Sequence, residues 1–319
     1  MKIAFFSETG NNQKYPRDFP NARTEVAWCL ALDAPMCHLQ QLPNQNFDLG
    51  IVIIPKNNPN VDLNHIRKVC DKVAVMQEGP HWFFQDYTVE QQFHYYNTLV
   101  DADWVYCHNE SDVSYYLGLG CKDVRVMRSL MIPEGLTSRR EILIDSYGDL
   151  PSPKSYETPK VIIGGNFVSW YGGFDSYVAV RDLGYELYAP SMGRKQEQEG
   201  MIEDINYLPY MNWRDWITNL SEYEIGVHLM RTHAAGTFAM NCAWHGIPCV
   251  GYKGLDTQEI LHPLTTVEVG NLDDAVKVSE KLKNNKKFYK LCTDTMKKRF
   301  KQNYTETAWK NDWNSLHER

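Results

Sequence analysis

Four stretches of this 319-residue chain gather side chains able to do chemistry. Residues 77–87, QEGPHWFFQDY, cluster Glu78, His81 and Asp86 around three consecutive aromatics, Trp82, Phe83 and Phe84. A carboxylate or imidazole there can take a proton from a hydroxyl, and the rings can stack on a sugar or a base. The same residues read equally as rings packed into a core with solvated acids beside them. Residues 224–252, EIGVHLMRTHAAGTFAMNCAWHGIPCVGY, run as strand, loop, helix from about Gly236, turn at Gly246 and a strand led by Pro248. Gly236 and Thr237 put unshielded backbone N–H groups and a hydroxyl at a helix N-terminus, a setting that suits a diphosphate. Residues 7–25 form a long polar loop in which Glu8 can act as a base and Lys14, Arg17 and Arg23 can meet an anion; a plain surface loop explains it as well. At 107–112, CHNESD, His108 and Asn109 stand at a strand end, where capping of the next helix by Asn109 or Ser111 accounts for them.

These residues must be carried by an alternating framework. In the first half, strands are expected at 3–7, 47–55, 73–77, 104–108 and 124–127, with helices at 24–32 (Thr24 its cap), 61–71, 88–100 and from about 110. The run FDLGIVIIP is apolar apart from Asp48, as in a parallel strand buried on both faces. Residues 145–160, DSYGDLPSPKSYETPK, hold three prolines and little apolar content and read as a linker. The pattern then restarts with strands at 161–165, 185–189, 224–230, 247–252 and 265–269 and helices at 173–183, 236–245 and 272–283. Strands separated by helices at this spacing give βαβ units and an open parallel sheet. The expectation is an α/β protein of two doubly wound, Rossmann-like domains, residues 1–150 and 151–300, facing across a cleft that is the default active site. No internal repeat or low-complexity tract interrupts it.

Composition excludes several classes. With 43% hydrophobic and 23% charged residues the chain can build two ordinary cores and is neither disordered nor a coiled coil. No run approaches the ~18 apolar residues of a membrane span, and the first ten residues read as a strand rather than a signal peptide. The net charge of −7 disfavours a general nucleic-acid coat, although residues 277–301 carry ten Lys or Arg against two acids, +8 against −15 elsewhere. The eight cysteines form no C-x-x-C pair and lie mostly within apolar runs, which predicts reduced, buried thiols and a cytoplasmic location. His94, His108 and His245 are scattered, and no metal site is expected.

The order and spacing of the second half resemble the carboxyl-terminal domain of the GT-B-fold glycosyltransferases: strand, small-Gly turn, helix, then a Gly-x-Pro turn into a buried strand. In that family two glutamates flank the glycine turn and hold the sugar and the ribose of a nucleotide-sugar donor; His233 and Asn241 stand at the matching positions here. The resemblance implies that Tyr210 to Trp213, in NYLPYMNWRDW, lie against the nucleotide base. It also makes VIIGGNFVSWYGGFD (161–175) the glycine loop of the donor domain. That loop lacks the Arg and Lys that often meet the diphosphate, so Arg231, Arg194 and Lys195 are the expected substitutes. The aromatic-studded residues 301–319 resemble the terminal helix that crosses back to the first domain. Asp101 and Asp103 match the D-x-D of metal-dependent transferases of the other major fold, but here they precede their strand.

The implied activity is metal-independent sugar transfer from a nucleotide-sugar co-substrate, with no other cofactor, to an acceptor hydroxyl held by the first domain. His81, Glu78, Asp86 or Glu8 would be the base, and Arg17, Arg23, Trp82 and Phe83 would meet the acceptor. A compact chain of this kind also resembles the phage enzymes that glycosylate hydroxymethylated bases in duplex DNA, in which case it would work in the host cytoplasm. The rivals are a glycan or lipid-linked saccharide transferase and a non-catalytic nucleotide-binding protein of the same fold.

Overall fold

The computed structural model describes residues 1–22, 24–55, 58–77, 79, 87–147, 158–165, 167, 170–191 and 202–318. The chain divides into two compact units: unit 1 is residues 1–132 with 233–235 and 306–319, and unit 2 is residues 133–232 with 236–305.

Unit 1 holds a six-stranded parallel sheet in the order β2-β1-β3-β4-β5-β6. Its strands are β1 (Ile3–Ser7), β2 (Met36–His38), β3 (Phe47–Ile53), β4 (Cys70–Met76), β5 (Trp104–Cys107) and β6 (Val124–Val126), interleaved with α1 (Glu25–Ala31), α2 (Leu63–Ile66), α3 (Val89–Asp101) and α4 (Val113–Gly118). The sheet is buried on both faces, which is why β1 is apolar at four consecutive positions, Ile3 to Phe6, and buried throughout. Helix α3 begins at a reciprocal box in which Thr88 accepts from the Gln91 N–H and the Gln91 side chain accepts from the Thr88 N–H. Thr24 stands at the start of α1 with φ +48° and makes no side-chain capping bond there.

The last helix, α12 (Glu306–His317), belongs to unit 1. Its Trp309 and Trp313 rings stack 5.6 Å apart, Trp309 meets Trp28 at 5.6 Å, and Trp313 stacks on Tyr106 at 5.7 Å. Trp309 Nε1 donates to the Arg128 carbonyl at 2.9 Å. Residues 306–319 thereby complete a core begun by residues 28 and 106.

Unit 2 holds a second parallel sheet, β12-β11-β10-β7-β8-β9, from β7 (Lys160–Ile163), β8 (Glu186–Ser191), β9 (Ile205–Tyr210), β10 (Ile225–His228), β11 (Cys249–Tyr252) and β12 (Thr266–Val267). Its helices are α5 (Arg139–Tyr147), α6 (Gly173–Val178), α7 (Trp213–Leu220), α8 (Thr237–His245), α9 (Asp256–Leu261), α10 (Leu272–Asn284) and α11 (Lys286–Asn303). Counting from β7 the strand order is 3-2-1-4-5-6, that of the dinucleotide-binding fold, and it reverses between β7 and β10. The chain enters unit 2 at residue 133, before the 145–160 linker expected from sequence. Helix α5 is the reason: the Arg139 N–H donates to His245 Nδ1 at 2.9 Å, and the buried Arg139 guanidinium pairs with Glu224 at 3.3 Å.

Candidate functional site

Open α/β sheets bind ligands beyond the carboxyl ends of their strands, at the point where strand order reverses. In unit 2 that point is the junction of β7 and β10, and close backbone approach dictates its composition. A Cβ on Gly164, just past β7, would lie 2.7 Å from His228 and 2.9 Å from Phe238. Gly172, with φ +65°, would put a Cβ 2.0 Å from the Leu229 carbonyl. Ser176 on α6 locks this approach: its hydroxyl donates to the Gly172 carbonyl and accepts from the Leu229 N–H, both at 2.8 Å.

Helix α8 starts at the same edge. Gly236 precedes it with φ +65°, and being glycine it offers no side-chain cap to the first turn. The opening N–H groups, from Thr237 onward, have no partner within the helix and carry its positive dipole end. The helix closes at Gly246, also left-handed, where the Ile247 N–H returns to the Cys242 carbonyl at 2.9 Å.

Charge at this edge is already partly matched. Arg231, just past β10, reaches Asp175 Oδ2 at 2.7 Å through NH2 and 3.2 Å through Nε, and the Tyr252 hydroxyl donates to the same oxygen at 3.3 Å. Hydrogen bonding to Asp175 strengthens the protonated state of Arg231, while burial raises Tyr252. An incoming anion would therefore share the guanidinium with Asp175. His228, at the end of β10, is buried, and desolvation pulls it down to about 4, so the ring is neutral. Its Nε2 finds no hydrogen-bond partner among the described residues, and neither does Oδ1 of Asn241 on α8, which is 2% exposed.

Of the residues expected from sequence, Arg231, Gly236, Thr237 and Asn241 lie on elements of this edge. Tyr210 ends β9 with 63% of its surface exposed, whereas Trp213 is 4% exposed. Trp213 opens α7 behind an Asn212 cap, and its ring is committed to the core, leaving Tyr210 as the exposed ring of that loop. His233, with Ala234 and Ala235, groups with unit 1. There His233 Nδ1 lies 2.9 Å from Asp112 Oδ1 and 3.1 Å from the Ser111 hydroxyl. Asn109, buried beyond β5, donates to Asp112 Oδ2 and to the Ala234 carbonyl, both at 3.0 Å.

Elsewhere in unit 1, Glu8 is exposed just past β1. Arg17 is engaged in a two-pronged pair with Glu306 at 2.7 and 3.1 Å, and Lys14 pairs with Asp33 at 2.6 Å. Glu78, His81, Trp82, Phe83, Asp86, Arg23, Arg194 and Lys195 lie outside the described residues. Among the described residues no three His, Cys, Asp or Glu side chains converge as a metal-ligand set, and no helix is long and apolar enough to cross a membrane.

No family model matches this chain, and no curated protein matches it. Solved structures do. Sucrose-phosphate synthase from Thermosynechococcus elongatus superposes with a TM-score of 0.71 at 12% identity over 99% of this chain and 98% of its own. HepE of Anabaena, in complex with UDP-glucose, gives 0.68 at 10% identity over the full length of both chains. TarM of S. aureus gives 0.60 at 13% identity, covering 85% of this chain and 55% of its own. The fold is thus the GT-B fold of two Rossmann-like domains, shared along the whole chain with the first two of these proteins.

Proposed function

We propose that this protein is a nucleotide-sugar glycosyltransferase. Its donor diphosphate would be received at the α8 N-terminus of unit 2, and its acceptor hydroxyl would be held by unit 1. The observation that carries this reading is the β7–β10 edge. Gly164, Gly172 and Gly236 are required there by contacts of 2.7, 2.0 and 2.1 Å, and a helix whose first turn has no side-chain cap starts just past the order-reversal point. HepE, whose fold this chain shares end to end, is known in complex with UDP-glucose. The N–H groups from Thr237 onward and the guanidinium of Arg231 supply the positive potential that a departing diphosphate needs. The transfer would then proceed without a divalent ion.

A hydroxyl on a glycan is the favoured acceptor over a hydroxymethylated base in duplex DNA. Five basic side chains between 277 and 301 are engaged within unit 2: Lys277 with Asp273, Lys290 with Asp294, Lys283 with the Gly184 carbonyl, Lys281 over the Phe288 ring and Arg299 with the Ile260 carbonyl. That leaves a weaker phosphate track than the sequence count suggests.

The test is calorimetry with UDP and UDP-glucose, followed by UDP-release assays with simple glycans and hydroxymethylated duplex as acceptors, with and without EDTA. Micromolar to millimolar donor binding and EDTA-resistant UDP release are expected. Arg231→Ala and Thr237→Ala should each weaken the donor by about tenfold or more, the worth of a charge-assisted bond. Unchanged donor affinity in both variants would remove the site; binding without turnover would leave a nucleotide-binding protein of the same fold.

A further inference from the structure

Helix α11 breaks two rules of local electrostatics. It has no acidic residue in its first turn, where Lys286 and Lys287 stand at the positive end of the helix dipole. Helix α10, just before it, puts Asp273 and Asp274 there. The end is otherwise well made, since the Asn285 side chain accepts from the Phe288 N–H at 3.0 Å. The second rule concerns spacing. Lys286 and Lys290, like Lys297 and Lys301, are four residues apart, and Lys287–Lys290 and Lys298–Lys301 are three apart, separations at which like charges repel. At about 3.6 residues per turn these lysines share about 120° of arc and run along about 22 Å of the axis. All of them are exposed, while Tyr289, Cys292, Thr293 and Met296 on the other side are buried where α11 packs on α8, α9 and α10. Lys290 pairs with Asp294 at 3.4 Å, but Lys286, Lys287, Lys297, Lys298 and Lys301 have no ion-pair or hydrogen-bond partner among the described residues. A local conflict that the fold leaves uncompensated is the signature of a functional surface.

We infer that the outer face of α11 is a docking surface for an anionic lipid bilayer. Charge complementarity carries the assignment. Lipid phosphates beside Lys286 and Lys287 would oppose the dipole end, and the negative potential of the headgroup layer would offset the repulsion along the stripe. The form of the stripe favours a bilayer over a nucleic acid. It is straight and one helix face wide, which matches a plane better than a curved phosphate track. It is made of lysines, point charges suited to a diffuse surface potential, whereas Arg299 of the same helix is engaged with the Ile260 carbonyl. Leu291, 54% exposed, borders the lysines and offers an apolar contact at headgroup depth. The apolar side of α11 stays in the core of unit 2, so the helix rests on the lipid surface and the attachment is reversible.

The experiment mixes the full chain with vesicles of phosphatidylcholine containing about one-third phosphatidylglycerol, or of phosphatidylcholine alone, and reads the bound fraction by flotation at low and high salt. Binding is expected on the anionic vesicles only and should fall steeply with salt. Each lysine near such a surface is worth roughly fivefold in partitioning, so Lys286→Gln/Lys287→Gln and Lys297→Gln/Lys298→Gln should each lower it by about tenfold or more. The four substitutions together should abolish it. Because glutamine relieves the repulsion, both pairs should melt no lower than the parent, which separates lost docking from lost folding. Flotation needs no sugar donor, so its outcome is read independently of the transferase reading. No binding to the anionic vesicles, equal binding to phosphatidylcholine alone, or binding that survives all four substitutions would overturn the assignment. So would duplex DNA that displaces the vesicles and binds the parent more tightly than the fourfold variant, which would give the stripe to a nucleic acid.

Discussion

Replacing Gly236 by Ala tests both the backbone geometry of the α8 N-terminus and its role. The residue sits at φ +65°, where an L side chain costs on the order of 1–2 kcal/mol. Its Cβ would also fall 2.1 Å from Thr257 Oγ1, with Thr257 Cβ next at 3.2 Å. Thr257 is buried and its hydroxyl finds no partner among the described residues, so it can yield only by shifting α9 or turning its side chain. Overpacking of this kind costs roughly 1–3 kcal/mol. The sum is about 3 kcal/mol, and the two parts can be separated. Thr257→Ala removes the clashing oxygen without breaking a hydrogen bond and should cost about 1 kcal/mol or less. In the Gly236→Ala/Thr257→Ala double variant only the backbone part should remain, about 1–2 kcal/mol. Urea denaturation gives the four free energies, and calorimetry with UDP-glucose should show a donor affinity reduced in both Gly236 variants, because the first-turn N–H groups have been re-aimed. A loss below about 0.5 kcal/mol for Gly236→Ala, or strict additivity with Thr257→Ala, would refute the steric reasoning.

Two further outcomes follow from packing and protonation. His245 accepts the Arg139 N–H on Nδ1 and donates from Nε2 to the Ile217 carbonyl; His262 does the same with the Cys249 N–H and the Ala239 carbonyl. Both rings are held down at about 4 by burial, against 6.5 when unfolded, so the unfolded chain binds more protons between those values. Unit 2 should therefore be fully stable above about pH 6.5 and lose roughly 1 kcal/mol per ring for each pH unit below it; a flat series of urea midpoints from pH 7 to 4.5 would contradict this. In unit 1, Trp309→Ala should cost about 3–5 kcal/mol and Trp309→Phe, which loses the bond to the Arg128 carbonyl, about 1 kcal/mol; equal losses in denaturant melts would show that the ring stack is not what matters.

The framework was legible because its signals are local. Continuous apolar runs such as 49–53 and 161–163 announced buried parallel strands, and the Gly236–Gly246 pair bracketed α8. Three-residue β2, squeezed behind Pro35, is too short to carry a period, and six-residue α9 is too brief to show one. The site was less legible because its partners are remote in sequence. Arg231 looked like a free cation, but Asp175 lies 56 residues away and claims it. Trp213 was expected against a base, yet it is buried with Ile217 and Leu220 on one face of α7. His233 and Asp112 are 121 residues apart, and no spacing rule joins them. The one available hint was the clustering of Asn109, Ser111 and Asp112 at a strand end, which also reads as a cap.

The return of α12 to unit 1 has a consequence for synthesis on the ribosome. Trp28 and Tyr106 are made early, but the rings that cover them, Trp309 and Trp313, emerge about two hundred or more residues later. At ~5–20 residues per second that interval is on the order of 10–40 s. Throughout it the amino-terminal sheet can form its strand pairs but must leave an aromatic face uncovered, while unit 2 receives its own last helix, α11, first. The domain begun first is thus finished second, and a nascent chain stalled near residue 305 would offer chaperones and proteases its oldest segment rather than its newest.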